Sequence, residues 1–111
     1  MRVVSVDTVR DTVRELYKEA CVVTNPELVA AFERARATEP SPVGQEILTM
    51  LVENVELAKR ENLPMCQDTG IAIVFLEIGE EVRFDRPGLI DAVNAGVREA
   101  WKAGYLRASL V

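Results

Sequence analysis

Residues 63–70 read LPMCQDTG, and residues 71–78 continue as IAIVFLEI. Four consecutive positions carry a thiol, an amide, a carboxylate and a hydroxyl, between a proline that restricts the backbone and a glycine that frees it. The apolar run that follows, Ile71–Ile78, is too continuous for a strand with one exposed face and too short to cross a membrane. We therefore predict a polar site loop, residues 63–70, leading into a strand that is buried on both faces.

The length and composition of the chain favour a single domain, residues 1–111, in a reducing compartment. A chain of this length buries enough surface to form one core without a disulfide scaffold. Its two cysteines, Cys21 and Cys66, lie too far apart in the sequence for a CxxC redox pair or a zinc-finger spacing. The first residues contain one arginine and reach an acid before any long apolar stretch, which argues against a signal peptide. We therefore expect a cytoplasmic protein.

The charge of the chain narrows the classes of partner. There are 13 lysines and arginines against 18 acids, a formal net charge of −5. This balance disfavours nucleic acid and anionic membranes as partners. The sequence has no histidine, the commonest general base and metal ligand. Any chemistry must therefore use cysteine, carboxylates, lysine or arginine, or take a histidine from another chain.

Hydrophobic periodicity predicts four amphipathic helices joined by short turns. Capping residues and prolines mark their starts, and a glycine follows the last of them. The second helix is expected to bury one face, formed by Leu28, Val29, Phe32 and Ala35. The predicted helices are Asp7–Cys21 with Asp7 as N-cap, Pro26 to about Arg36, Pro42 to about Asn62, and Leu89 to about Ala103.

Three segments supply the predicted β-structure. The apolar run forms the buried strand, Val82–Phe84 alternates between apolar and polar residues and is expected to return as a hairpin strand, and residues 105–111 look extended. The fold class predicted from these elements is α+β, a mainly helical domain with about four helices covering a small β-sheet.

The residues of the site loop allow a chemical and a structural interpretation. Cys66 is suited to bind a metal or a cluster as a thiolate, yet a single thiol at the mouth of a strand is also often only packed there. Gln67 and Asp68 can hold and protonate an oxygen-bearing substrate, but such residues before a glycine also serve as turn chemistry. Arg107, alone in an apolar segment, fits a carboxylate clamp or a solvent-facing strand position. Cys21, beside the apolar stripe of the first helix, is interpreted as a core residue.

Taken together, Pro64–Gly70, the apolar run after it and Gly104–Arg107 resemble the N-terminal part of the alpha subunit, or alpha region, of class I fumarate hydratases and the related tartrate dehydratases. The resemblance covers essentially the whole chain, and its CQDTG core is fairly specific. It implies an enzyme with a [4Fe-4S] cluster that has three cysteine ligands and an open iron, which binds the hydroxyl and a carboxylate of the substrate.

Carried over by position, the resemblance implies a role for each candidate residue. Cys66 would be one cluster ligand, and Gln67 a contact to a substrate carboxylate. Asp68 would be a catalytic residue of the acid–base network around the leaving water. Arg107 would clamp a substrate carboxylate. One cysteine cannot hold a cluster, so the other ligands must come from sequence beyond Val111 or from another chain.

The chain departs from the family pattern because it lacks the two later cysteines, the histidine and the remaining basic residues. It also stops in mid-pattern at Leu110-Val111. We therefore expect the N-terminal portion of a longer alpha subunit, inactive alone, that assembles with the remainder of that subunit and a beta subunit or domain into an oligomer.

The favoured hypothesis is reversible hydration of fumarate to malate in the complete enzyme, with a dicarboxylate as substrate. The alternatives are an L-tartrate dehydratase alpha subunit and a noncatalytic module for subunit interaction. The sequence does not separate fumarate from tartrate.

Overall fold

The computed structural model describes residues 1–109. Its elements follow in the order β1 (Arg2–Val4), α1 (Val6–Val22), α2 (Pro26–Thr38), α3 (Pro42–Glu61), β2 (Val82–Phe84) and α4 (Leu89–Ala103). Four helices and one small sheet confirm the predicted mainly helical α+β class. Within the described residues, none of the helices combines the length and hydropathy that crossing a membrane requires.

The chain divides into two compact units. The middle unit comprises Ala20–Gln67, and the terminal unit comprises Met1–Glu19 together with the chain from Asp68 onward. One boundary falls inside α1 and the other inside the site loop, between Gln67 and Asp68. That residues 1–111 form one domain is not tested by this division and stays a prediction.

The sheet of the terminal unit joins the two sequence segments of that unit. β1 and β2 pair in parallel, with Arg2 opposite Val82 and Val4 opposite Phe84. The prediction that Val82–Phe84 forms a strand is correct, whereas the hairpin pairing is wrong. The partner of Val82–Phe84 is a strand at the chain start that the sequence analysis did not predict.

The start of α1 also differs from the prediction. Asp7 lies in the first turn of the helix and is not its N-cap. The Ser5 hydroxyl accepts the N–H of Asp7 at 3.2 Å, and Asp85 Oδ1 accepts the N–H of Val6 at 2.9 Å. The helix begins one residue early because a carboxylate from beyond β2 satisfies its first N–H group.

Close approach of α1 and α4 forms the core of the terminal unit. A Cβ at Gly96 would lie 2.5 Å from the carbonyl oxygen of Arg10 and 3.0 Å from the Cβ of Val13, so only glycine fits there. Val13 and Ala100 are buried. At the edge of this contact, Arg14 Nη1 donates to Glu99 Oε2 at 2.9 Å. The predicted bounds of the fourth helix are confirmed.

In the middle unit, α2 and α3 pack against each other and begin as predicted. Asn25 Oδ1 accepts the N–H of Glu27 at 2.9 Å, and Ser41 Oγ accepts that of Gly44 at 3.3 Å. The buried face expected on α2 is wrong, because no residue of this helix is buried and Leu28 is 47% exposed. Packing against α3 therefore leaves the side chains of α2 at least partly exposed.

The apolar run Ile71–Ile78 is a second correction. It forms no strand, and its side chains are largely exposed, with Ile73 at 75% and Phe75 at 91%. A strand buried on both faces needs neighbours at its edges and a layer on each side, whereas the sheet here has two strands of three residues each. Residues 105–109 form no strand either. The end of that predicted segment, residues 110–111, lies outside the described residues.

Candidate active site

The first half of the site loop belongs to the middle unit and is fixed through its main chain. The N–H of Met65 donates to the carbonyl of Cys21 at 2.9 Å, and the N–H of Cys66 donates to Asn54 Oδ1 at 3.0 Å. Met65 is buried and contacts the hydroxyl of Thr24 through its sulfur. Cys66 itself is exposed. The loop therefore anchors one residue in the core and presents the next residue's thiol at the surface.

The two cysteines have opposite environments. Cys21 is 3% exposed, and burial raises the pKa of its thiol. A thiol with a raised pKa stays protonated and binds metals poorly. The interpretation of Cys21 as a core residue is confirmed. Cys66 is therefore the accessible thiol of the chain.

The second half of the loop belongs to the terminal unit and begins with Asp68. Its carboxylate accepts the hydroxyl of Ser109 and, at 2.8 Å, the N–H of Gly70. The Ser109 hydrogen bond, the Gly70 N–H and the positive charge of Arg107 hold the pKa of Asp68 below its usual range. At neutral pH this side chain is an ionised hydrogen-bond acceptor.

Thr69 joins the loop to the segment that carries Arg107. Thr69 Oγ1 accepts the N–H of Arg107 at 2.7 Å and donates to the Arg107 carbonyl at 2.8 Å. The Thr69 carbonyl accepts the hydroxyl of Tyr17 at 2.6 Å and Nε1–H of Trp101 at 2.8 Å. These two aromatic side chains pack edge to face, with centroids 6.1 Å apart. One residue thus connects α1, α4 and the Arg107 segment, residues 105–109.

Arg107 stands on a short stretch that is fixed to the end of α4. Tyr105 adopts a left-handed backbone conformation, with φ of 54°. Leu106 is buried, and its N–H donates to the Trp101 carbonyl at 3.1 Å. Arg107 follows as an exposed residue. The structure therefore brings two of the predicted site residues, Asp68 and Arg107, together in the terminal unit.

The other two predicted site residues, Cys66 and Gln67, are both exposed and end the middle unit. Within residues 1–109, no three cysteine, aspartate or glutamate side chains gather to form a metal site. The donor chemistry fits a single ligand position, because Cys66 offers an accessible thiol on a fixed main chain. Further donors to a cluster would have to come from outside the described residues.

Sequence reasoning missed several residues that fix the loop. Asn54 binds the Cys66 amide from α3, and Ser109 binds Asp68. Tyr17 of α1 and Trp101 of α4 bind the Thr69 carbonyl. Their hydroxyl and indole N–H were a usable signal, since buried tyrosine and tryptophan generally need a polar partner.

Comparisons with known proteins support the family resemblance that was first seen in the site loop. Residues 10–111 match the family described as Fumarate hydratase (Fumerase). Over 104 residues the chain is 33% identical to a "Putative L(+)-tartrate dehydratase subunit alpha" from Methanocaldococcus jannaschii, an alignment that covers 93% of this chain and 36% of that protein. The chain thus spans little more than a third of the length of this relative. The resemblance seen in the CQDTG loop is confirmed, and the chain belongs to the fumarate hydratase family.

Proposed function

We propose that this chain is the N-terminal portion of the alpha subunit of an iron–sulfur hydro-lyase that interconverts fumarate and malate. One observation carries the proposal. The chain belongs to the fumarate hydratase family, and its site loop exposes the Cys66 thiol and continues into an ionised Asp68. The next residue, Thr69, accepts a hydrogen bond from the main-chain N–H of Arg107, whose side chain is a cation. Thiolate, carboxylate and guanidinium are the groups that this chain can offer to a metal-assisted dehydration.

Cys66 is proposed as one ligand of a [4Fe-4S] cluster, with the remaining ligands supplied from outside this chain. When bound, the cluster would supply a Lewis acid for the substrate hydroxyl. The Asn54 contact to the Cys66 amide would fix the direction of the thiolate. The ligand role suits the exposure of this thiol, which the buried Cys21 does not share.

Gln67 and Arg107 are proposed to bind the substrate carboxylates. A guanidinium presents two parallel N–H groups that match the two oxygens of a carboxylate, so Arg107 would fix orientation as well as charge. Gln67 adds an amide N–H donor. A carboxylate held in one orientation would direct the C2 hydroxyl and C3 proton of the substrate toward the acid–base groups.

Asp68 is proposed as a member of the acid–base network around the water that leaves or adds. In the dehydration direction, a base takes the C3 proton and an acid donates a proton to the C2 hydroxyl, which departs as water. The lowered pKa of Asp68 favours its ionised form, so that it enters the reaction as a proton or hydrogen-bond acceptor. The Gly70 N–H and Ser109 hydroxyl would hold one of its oxygens and leave the other for the network.

Dehydration of L-tartrate is the second candidate, because the relative described above carries that name. Tartrate resembles malate with one more hydroxyl, and the same residues would bind its carboxylates. The assembled enzyme should be assayed in parallel on malate, fumarate and L-tartrate. A larger kcat/KM for malate and fumarate supports the first candidate, a larger value for tartrate replaces it with the second, and no reaction with any of them removes both.

The proposed partners follow from the same assignment. They are the remainder of the alpha subunit, a beta subunit or domain, and further copies in an oligomer. The word "alpha" in the relative's name supports a second kind of subunit. The tricarboxylic acid cycle and the cytoplasm are the corresponding proposals for pathway and location.

The decisive experiment is Cys66→Ser in the assembled enzyme under anoxic conditions. Loss of the brown cluster absorbance together with turnover is expected, because serine is a poor iron–sulfur ligand. Cys21→Ala is the matched control and should keep the cluster, since Cys21 is a core residue. A fully occupied cluster in Cys66→Ser would refute the ligand assignment. An unmodified enzyme that binds no cluster would favour the noncatalytic interaction module instead.

A further inference from the structure

Thr69 is a buried polar residue whose hydroxyl both donates and accepts a hydrogen bond. It is 2% exposed, and no other polar residue within residues 1–109 is buried. Its hydroxyl has one proton to donate and accepts one N–H, and both bonds go to the main chain of Arg107. A buried hydroxyl without partners would cost free energy, so this pairing fixes the position of both residues.

The other side of Thr69 is fixed independently. Its carbonyl accepts from Tyr17 on α1 and from Trp101 on α4. The close contact of these helices at Gly96 gives the two aromatic side chains a rigid support. The position of the Thr69 hydroxyl is therefore set by the helices, and the Arg107 main chain is set by the hydroxyl.

We propose that Thr69 is a positioning residue that holds Arg107 beside Asp68 for binding of a substrate carboxylate. This inference rests on the proposed function, in which Arg107 contacts the substrate. The two hydrogen bonds fall on the residue that bears the cation and not on its neighbours. Thr69 also directly follows Asp68, so its side chain links the main chain beside the carboxylate to the main chain that bears the guanidinium, 38 positions farther along the sequence.

Losing the hydroxyl should loosen Arg107 without releasing the whole segment. Leu106 is buried and its N–H stays bonded to the Trp101 carbonyl, so the segment keeps one anchor to α4. The expected defect is therefore a less ordered Arg107 on a folded protein. Such a defect weakens substrate binding more than it slows the chemical step.

The test compares Thr69→Val, which keeps the shape but removes the hydroxyl, with Thr69→Ser, which keeps the hydroxyl. Both are made in the assembled enzyme and followed by residue-resolved amide hydrogen exchange. In Thr69→Val the Arg107 amide should exchange about tenfold faster, the effect of losing one hydrogen bond, and in Thr69→Ser it should stay within about twofold. Thr49→Val is the control, because the Thr49 hydroxyl donates to the Gln45 carbonyl of its own helix, away from Arg107 in the sequence.

Steady-state kinetics supply a readout that a merely structural role would not move. Thr69→Val should raise KM for the dicarboxylate about tenfold with kcat within about threefold, and Thr69→Ser should restore KM. Unchanged exchange at Arg107, an unchanged KM, or a loss mainly in kcat would overturn the proposal.

Two further outcomes are decided by the same data. If Thr69→Val does not fold, the Arg107 amide must still be protected in the unmodified protein and in Thr69→Ser, and fast exchange in either overturns the proposal. If the unmodified enzyme has no hydro-lyase activity, the proposed function fails, while the exchange measurement still decides whether the Thr69 hydroxyl holds Arg107.

Discussion

Two adjacent stretches of the terminal unit differ in burial and hydrogen bonding. They are residues 68–70 and the apolar run, residues 71–78. The first is polar, yet Thr69 in it is 2% exposed and bonded to three other parts of the unit. The second is apolar, yet Phe75 in it is 91% exposed. Within residues 1–109, none of its main-chain groups takes part in the hydrogen bonds of the sheet or the loops.

The contrast shows that burial depends on partners as well as on composition. A polar stretch needs only a few well-placed groups to be fixed, and α1, α4 and the Arg107 segment provide them. An apolar strand needs surface on both faces and neighbours at both edges. The apolar run therefore carries the composition of a buried strand without the layers that would bury it in the described part of the chain.

The largest expected effect comes from breaking the support behind Asp68–Gly70. Gly96→Val would force side-chain atoms against the Arg10 carbonyl, which lies 2.5 Å from an ideal Cβ, and would separate α4 from α1. We expect the free energy of unfolding of the chain to fall by about 3 kcal/mol, as in other overpacked cores. Urea denaturation measures this loss.

Gly79→Ala is the matched control for that substitution. A Cβ at Gly79 meets only Val82 Cγ2, at an ordinary 3.9 Å. Its stability should therefore stay within about 0.5 kcal/mol of the unmodified chain. An equal loss at Gly79 and Gly96 would show that the close helix contact is not the cause.

A smaller effect is expected from removing one of the bonds to the Thr69 carbonyl. Trp101→Phe deletes the Nε1–H donor, but the Tyr17 hydroxyl still satisfies the carbonyl. We expect a loss of about 1.5 kcal/mol from the hydrogen bond and the reduced ring area. Tyr105→Phe removes a hydroxyl from a side chain that is 87% exposed and should change stability little. No loss in Trp101→Phe would contradict the role of the aromatic pair.

The apolar run offers the converse test. Phe75→Ser removes a large apolar side chain from an exposed position and should change the free energy of unfolding of the chain by less than about 0.5 kcal/mol. Leu106→Ala, at a buried position of the same unit, should cost about 2 kcal/mol. A loss of about 3 kcal/mol of unfolding free energy in Phe75→Ser would show that Phe75 is buried, as the predicted strand requires.

The comparison also explains which features the sequence could predict. The bounds of α4 depend on neighbouring residues, with Gly88 before the helix and Gly104 after it, and they agree with the prediction. The Thr69–Arg107 link joins residues 38 positions apart, and no local pattern encodes it. Residue type alone left Cys66, Gln67, Asp68 and Arg107 open between chemical and structural roles. Their site roles come from the family resemblance and stay predictions. The groups that fix them, such as Asn54, are common residues in ordinary helical positions.

The weakest expected effect is a dependence of stability on pH. It concerns Asp85, another polar residue with a hydrogen-bond partner that is distant in sequence. Asp85 accepts the N–H of Val6 at 2.9 Å, across 79 positions of sequence. That bond, followed by the Ser5 hydroxyl and the charge of Arg86, holds the pKa of Asp85 below its usual range. A carboxylate with a lowered pKa in the folded chain stabilises the fold above its unfolded pKa, about 3.9, and loses that contribution as pH falls through the folded value.

Asp85→Asn should therefore be less stable than the unmodified chain at neutral pH, because its amide accepts the Val6 N–H without a charge. The difference should shrink as the pH of urea denaturation is lowered from about 6 to about 2, since Asp85 itself becomes neutral over that range. Glu46→Gln is the control, because Glu46 is an exposed residue of α3. Its unfolding free energy, measured over the same pH range, shows the effect of losing one negative charge. A difference that stays constant across the range would mean that Asp85 stabilises the start of α1 through geometry and not through its charge.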